Sequence, residues 1–238
     1  MLVDPFPGDF VRRFIALTIG VVGLVSRSAE AQVCSGFGSF ANGIVGIGAN
    51  VYGAPGVTGA GASINVGTPG GIFGGAQVGL QDVNISSNSN SDFLVSSMRM
   101  GAYVGYEIPL AKTDRISICP SVGVGHRFGP NYAIGNANVR QTANDYAGEI
   151  AFGGAIKLGA KADLVPSVAI GYSGWTYKSM IVGGESATGS AAALDATFSV
   201  GVVIANRFAI RPFVAISAQE NSDPTIGLSF HVQLGQKR

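Results

Sequence analysis

The side chains with the clearest potential for chemistry are two histidines and two cysteines: His126, His231, Cys34 and Cys119. Four such residues cannot supply both a four-ligand zinc site and a catalytic set, so we expect neither a metal centre nor a cofactor. A catalytic histidine also needs an orienting carboxylate, and the sequence assigns one to neither histidine. These residue types therefore predict that the protein is not an enzyme.

Glycine-rich loops can bind phosphate groups through their backbone, and 36 of the 238 residues are glycine. Runs such as Gly46-Ile-Gly48 and Gly123-Val-Gly125 look like the start of a nucleotide loop, but none continues into Gly-x-Gly-x-x-Gly. A phosphate-binding loop must also lead into a helix. These glycines lie within strand-like patterns, where glycine permits strong coiling and close packing.

Composition limits the class of protein. Charged residues make up 12% of the chain and apolar residues 47%, whereas ordinary soluble domains contain about 25% charged residues. Such a chain would struggle to cover a soluble surface, and it is too apolar to be disordered. Lys and Arg total 15 against 14 Asp and Glu. This balance gives no basic footprint, so we expect no nucleic-acid partner.

The first 31 residues have the order of a secretory signal peptide. Arg12-Arg13 precede the apolar run Phe14 to Val25, and Ala29-Glu-Ala31 supplies an Ala-x-Ala cleavage site. A membrane anchor is the alternative, but this run falls short of the roughly 20 residues that a spanning helix needs. We expect residues 1–31 to be a signal peptide and residues 32–42 to be a lead-in to the mature domain.

Alternation at period two then dominates the chain. Between Arg115 and Phe128, Ile116, Ile118 and Val122 alternate with Ser, Cys, Gly and Arg. This period is typical of β-strands and sends the apolar and polar sets to opposite faces. We predict ten strands, at 43–53, 57–66, 72–83, 93–108, 115–127, 146–158, 164–176, 191–204, 207–218 and 225–234. Most connections between them alternate between tight turns and longer loops, the longer ones at 84–92, 129–145 and 177–190.

The face opposite the apolar one decides between two all-β architectures. A secreted sandwich needs charges on its outer faces, but here that face is mostly Gly, Ser and Ala. A closed antiparallel up-and-down barrel in a membrane places the apolar face against hydrocarbon and the small polar face in its lumen. The pattern favours the transmembrane β-barrel over residues 43–234, with residues 235–238 as a C-terminal tail.

These features resemble the small outer-membrane β-barrel proteins of bacteria, which include porin-like members. The last strand carries Thr225, Gly227, Phe230 and Val232 in a pattern similar to their assembly signal, although the chain ends in Gly-Gln-Lys-Arg and not in an aromatic residue. The resemblance implies location in the bacterial outer membrane, contact with its lipid and insertion by the barrel insertion machinery.

Inward parity collects charges of both signs in the predicted lumen. They are Arg99, Glu107, Arg115, Arg127, Glu149, Lys157, Asp195 and Arg211. Unpaired charges in a confined space are costly, so they are expected to form a polar network between strands. The alternative is a polar track for small solutes. Ten strands lie between the eight that side chains fill and the 16–18 of open porins, and the many small inward residues suggest a lumen less filled than that number implies.

The two cysteines form a candidate disulfide. Cys34 lies in the lead-in and Cys119 lies at the periplasmic end of the fifth strand, on lumen parity. An exported protein in an oxidising compartment more often pairs two such thiols than leaves them free. Pairing would draw the lead-in into or over the barrel mouth, because Cα atoms beyond about 7 Å cannot be bridged. Two free thiols, or a lipid attached at Cys34, are the alternatives.

These observations predict a structural or interaction barrel of the outer membrane, with at most narrow passive passage of small polar solutes. Adhesion or ligand binding through the long loops is one alternative. A hydrolase at the outer rim is another. It is disfavoured because His126 has lipid-facing parity and His231 lies toward the periplasmic half. The sequence does not identify a ligand.

Overall fold

The computed structural model of the chain describes Cys34 and residues 45–68, 71–86, 92–110, 116–134, 137–182, 184, 186–205, 207–219 and 222–234. The predicted signal peptide, the lead-in apart from Cys34, and the tail 235–238 lie outside these residues. In the described part of the chain, no helix is long and apolar enough to cross a membrane.

Ten long antiparallel strands form one sheet that closes on itself. They are β1 Val45–Ala54, β2 Val57–Gly67, β3 Ile72–Ser86, β4 Asp92–Tyr106, β5 Ile116–Ile134, β6 Ala137–Gly154, β7 Ala162–Ile181, β8 Ser186–Ile204, β9 Phe208–Ser217 and β10 Thr225–Leu234. Each strand pairs with its neighbour in the sequence, and β1 pairs with β10 from Val45↔Leu234 to Gly53↔Ile226. Two short bridges, Ile108–Pro109 and Ile156–Lys157, continue the sheet beyond β4 and β6. The all-β up-and-down barrel is confirmed.

The strands differ in length, and this corrects two predicted loops. We call the end at which β1 begins and β10 ends the base, and the opposite end the rim. Strands β5 to β8 reach 18–20 residues, whereas β1, β9 and β10 have 10. Most of the predicted loops 129–145 and 177–190 is therefore strand. The prediction was wrong because the outward face turns polar near the rim, for example at Thr142 and Lys178, while the backbone ladder continues.

Side chains along the barrel alternate between a polar interior and an apolar exterior. On β9, Ala209, Arg211 and Phe213 are buried, while Phe208 and Ile210 are 49% and 41% exposed. The same alternation on β10 buries Ser229 and His231 and exposes Phe230. This is the inverse of a soluble protein. It is the arrangement of a barrel whose outer surface meets hydrocarbon, where closure leaves no unpaired strand edge.

Candidate functional site in the barrel interior

Two arginines and one aspartate form an ion cluster at mid-height in the interior. Arg99 on β4 is the cross-strand neighbour of Arg127 on β5. Arg99 Nε donates to Asp145 Oδ2 at 2.6 Å, and Arg127 Nη2 lies 3.9 Å from the same oxygen. Arg127 and Asp145 are both buried. A shared carboxylate thus offsets the repulsion between two guanidinium groups in a confined space.

Serine hydroxyls bind four of the other predicted network charges. Ser117 Oγ donates to Glu107 at 2.9 Å, and Ser121 Oγ donates to Glu149 at 3.5 Å. Ser173 Oγ donates to Asp195 at 2.7 Å, and Arg211 Nη2 donates to Ser229 Oγ at 3.4 Å. Small inward residues therefore bind charged side chains across the interior.

The remaining two predicted network residues are not placed in this cluster. Lys157 is exposed in the short bridge at the base, where it pairs through the backbone with Asp163. Arg115 lies outside the described residues. Arg99 and Arg127 thus meet at Asp145, the other four described members each contact a serine, and a single connected network stays a prediction.

Asp145 is the residue that the sequence reasoning missed. It was assigned to a long loop, yet it lies on β6 opposite Trp175 and is 8% exposed. The odd-number parity that placed Glu149 inside extends back through Ala147 to Asp145. Following that parity past Tyr146 would have identified it.

A disulfide lies in the interior near the base. Cys34 and Cys119 are bonded, with their Cα atoms 6.0 Å apart. Both sulfur-bearing side chains are buried in one cluster with Phe73, Tyr103 and Ala151. Tyr103 OH also donates to Asn65 Oδ1 at 2.5 Å. The predicted disulfide is confirmed, and it holds Cys34 inside the barrel among aromatic side chains.

Inward aromatic side chains lie over glycines of neighbouring strands. A Cβ added at Gly105 would be 2.2 Å from the Phe73 ring, and one added at Gly59 would be 2.1 Å from the Tyr52 ring. Gly227 of the predicted assembly signal is covered in the same way by Phe213, at 2.3 Å. The glycines at these three positions thus make room for rings that point into the lumen.

This packing predicts a difference between two glycine-to-alanine changes. Gly105→Ala places a methyl group 2.2 Å from the Phe73 ring and 2.8 Å from the Pro120 carbonyl oxygen. We expect it to lower the free energy of unfolding by about 1–3 kcal/mol, the usual cost of overpacking. Gly148→Ala is the control, since its nearest neighbour lies 4.0 Å away, and a change within about 0.5 kcal/mol is expected. Guanidinium unfolding in lipid vesicles measures both. Equal stabilities would contradict the ring-over-glycine account.

The other members of the predicted assembly signal lie along β10. Thr225 is buried with its side chain inward, whereas Phe230 is 46% exposed on the outer surface. Val232 has the same outward parity as Phe230 and is partly buried. The strand therefore presents its hydrophobic positions outward, and whether the insertion machinery recognises them stays a prediction.

The two histidines lie on opposite faces of the barrel wall. His126 lies on the outer surface, with Nδ1 2.7 Å from Asn144 Oδ1 and its ring against Phe128. His231 is buried toward the base, and its Nε2 lies 2.1 Å from where a Cβ on Gly46 would be. No group of three or more His, Cys, Asp or Glu in the described chain could hold a metal ion.

A separate hydrogen-bonded group lies in the interior near the rim. Gln141 Nε2 donates to Tyr132 OH at 3.2 Å and to Ser179 Oγ at 3.0 Å. Burial raises the pKa of the Tyr132 hydroxyl above its usual value, so the phenol stays protonated and neutral through the physiological range. This group joins β5, β6 and β7 above the ion cluster.

Comparison with known proteins matches the fold. No protein-family model and no curated protein sequence matches the chain. The β domain of the Bordetella autotransporter BrkA has a TM-score of 0.54 at 13% identity, covering 79% of this chain and 98% of that one. The KdgM porin, in complex with disordered oligogalacturonate, has a TM-score of 0.41 at 8% identity, covering 80% and 99%. The attachment invasion locus protein Ail of Yersinia pestis has a TM-score of 0.38 at 9% identity, covering 81% and 99%.

At these identities the likeness concerns the fold alone. The BrkA domain, together with the polar interior and apolar exterior described above, gives this chain the fold of outer-membrane β-barrel proteins.

Proposed function

We propose that this protein is a sealed structural scaffold of the bacterial outer membrane. The observation that carries the proposal is the filled interior. The Arg99, Arg127 and Asp145 cluster occupies the mid-height, and the Cys34–Cys119 disulfide packs with Phe73 and Tyr103 below it. Two barriers in series leave at most narrow passage for small polar solutes.

The base faces the periplasm in this proposal. Short turns lie on the periplasmic side of outer-membrane barrels and longer connections lie outside. Here the β5–β6 and β7–β8 hairpins, built from strands of 18–20 residues, extend the barrel at the rim, so the rim is assigned to the outside. The disulfide then lies on the oxidising periplasmic side, where such bonds form and persist. Lipid of the outer membrane is the partner of the apolar exterior, and the barrel insertion machinery is the partner during assembly.

An interaction role is the second candidate, and the uneven rim favours it. The β5–β6 and β7–β8 hairpins are built from strands of 18–20 residues, about twice the length of β9 and β10. A bilayer needs only about 9–11 tilted residues, so these hairpins form a wall outside the membrane. To test this role, cells that display the barrel with wild-type or shortened hairpins are compared for binding to a panel of polysaccharides and matrix proteins. Equal binding by the two kinds of cell would rule out an interaction role for the hairpins.

We propose that the barrel is not a hydrolase. His126 contacts the Asn144 amide on the outer surface, which faces lipid in this proposal, and His231 lies inside the barrel near the base, against Gly46. We expect neither position to bring the ring to a substrate at the rim.

Bilayer conductance tests the sealed scaffold. We expect the purified protein to give no stepwise conductance in a planar bilayer where an open porin, run as the positive control, gives regular steps. Reducing the disulfide is not expected to open the barrel, because the ion cluster still fills the mid-height. Reproducible steps from the oxidised protein would overturn the scaffold and favour a solute pore.

A further inference from the structure

We propose that a small cavity in the barrel interior binds a monovalent anion of halide size. The cavity has a volume of about 30 Å³ and lies at mid-height beside the ion cluster. Its polar lining consists of Asn50, Tyr52, Gln77, Gln81, Arg99 and Arg127. All six side chains can donate hydrogen bonds and none is a carboxylate. That chemistry suits an anion and excludes a metal cation.

One glycine creates the space. Asn50, Gly61, Gly79, Arg99 and Arg127 follow one another as cross-strand neighbours from β1 to β5. The Asn50 side chain covers Gly61, with Oδ1 2.5 Å from where a Cβ would be, but Gly79 has no side chain to fill the gap beside the arginines. A Cβ added at Gly79 would have its nearest neighbour, the Ala60 carbonyl oxygen, at 3.5 Å. The space beside Gly79 is therefore open to a small occupant.

Charge and hydrogen bonding both favour an anion there. Arg99 and Arg127 bring two guanidinium groups to the lining, and the Asp145 carboxylate that they share does not line the cavity. Gln81 is 7% exposed, and its Nε2 has no hydrogen-bond partner among the described residues. A buried amide donor without an acceptor is costly. An anion in the cavity supplies that acceptor.

Volume limits the ligand. One water needs about 10–15 Å³ of such space, so the cavity admits one halide ion or one to two waters. Oxyanions with several oxygen atoms exceed this space. Halide and water are therefore the two occupants that the experiment must separate.

The test is the thermal midpoint of the folded barrel in detergent, measured with increasing sodium bromide against sodium gluconate at equal ionic strength. At ten times the dissociation constant, we expect bromide to raise the midpoint of the wild type by about 3–5 °C. Gly79→Ala fills the cavity without changing any charge, and Gln81→Leu removes the donor at similar volume. Both should lose this rise. Gly148→Ala, the matched control at an open position, should keep it.

Two results would overturn the proposal. One is a wild-type midpoint that is equal in bromide and gluconate, which would mean that the cavity holds water only. The other is an equal bromide response in the wild type, Gly79→Ala and Gln81→Leu, which would place the effect elsewhere on the protein. A conducting barrel would overturn the sealed scaffold and leave the bromide result unaffected, so the two failures are distinguishable.

Discussion

Replacing Cys119 with alanine is expected to lower the free energy of unfolding by about 4 kcal/mol. The bond to Cys34 closes a loop with a sequence separation of 85. In the chain-entropy model, a loop of that length stabilises the folded state by about 4–5 kcal/mol, because the cross-link restricts the unfolded chain. Both cysteines are about 1% exposed, so the alanine also leaves a small void that adds to the loss.

Three variants separate the effect of the bond from the effect of packing. Because Cys34→Ala, Cys119→Ala and the double variant remove the same bond, they should lose nearly the same free energy of unfolding. The double variant should differ only by the small void at its second site. Guanidinium unfolding in lipid vesicles gives the free energies, and wild type with and without reductant serves as the control. If reduction leaves wild-type stability unchanged to within about 0.5 kcal/mol, the disulfide does not stabilise the barrel.

Much of this fold is predictable from the sequence because the barrel imposes a simple rule on each residue. On β10, Ile226 and Phe230 must face hydrocarbon while Ser229 and His231 must face the interior. A period of two is the only way to satisfy both requirements along a strand. The same rule predicted that Cys119 faces the interior. Because two cysteines in an exported protein usually pair, Cys34 was then predicted to lie beside it.

The rule fails where the exterior stops being apolar. Toward the rim, the outward residues are polar, for example Thr142, Asn144 and Lys178. The alternation of hydrophobicity therefore disappears there, although the hydrogen bonds between the strands continue. That is why the tall hairpins looked like loops and why Asp145 was missed.

Lumen packing was also not predictable, because a glycine in the sequence does not reveal which distant ring will cover it. Phe73 over Gly105 is such a pair, set by register across β3 and β4.

Asp145→Asn is expected to destabilise the barrel by about 3–5 kcal/mol. The carboxylate is the acceptor for Arg99 at 2.6 Å and the counter-charge of Arg127 at 3.9 Å. Removing one partner of a buried ion pair leaves uncompensated charge where water cannot screen it. The loss should therefore exceed that of a single hydrogen bond, about 1 kcal/mol.

The control is Asp82→Asn, since Asp82 accepts a hydrogen bond from Ser96 Oγ in an exposed pair, and exposed interactions of this kind contribute about 0–1 kcal/mol. Guanidinium unfolding in lipid vesicles should show the large loss for Asp145→Asn and little change for the control. Adding Arg127→Met to Asp145→Asn should recover part of the loss, because it removes one of the two charges left without the carboxylate. A double variant no more stable than Asp145→Asn would show that Asp145 acts through packing and not through the two arginines.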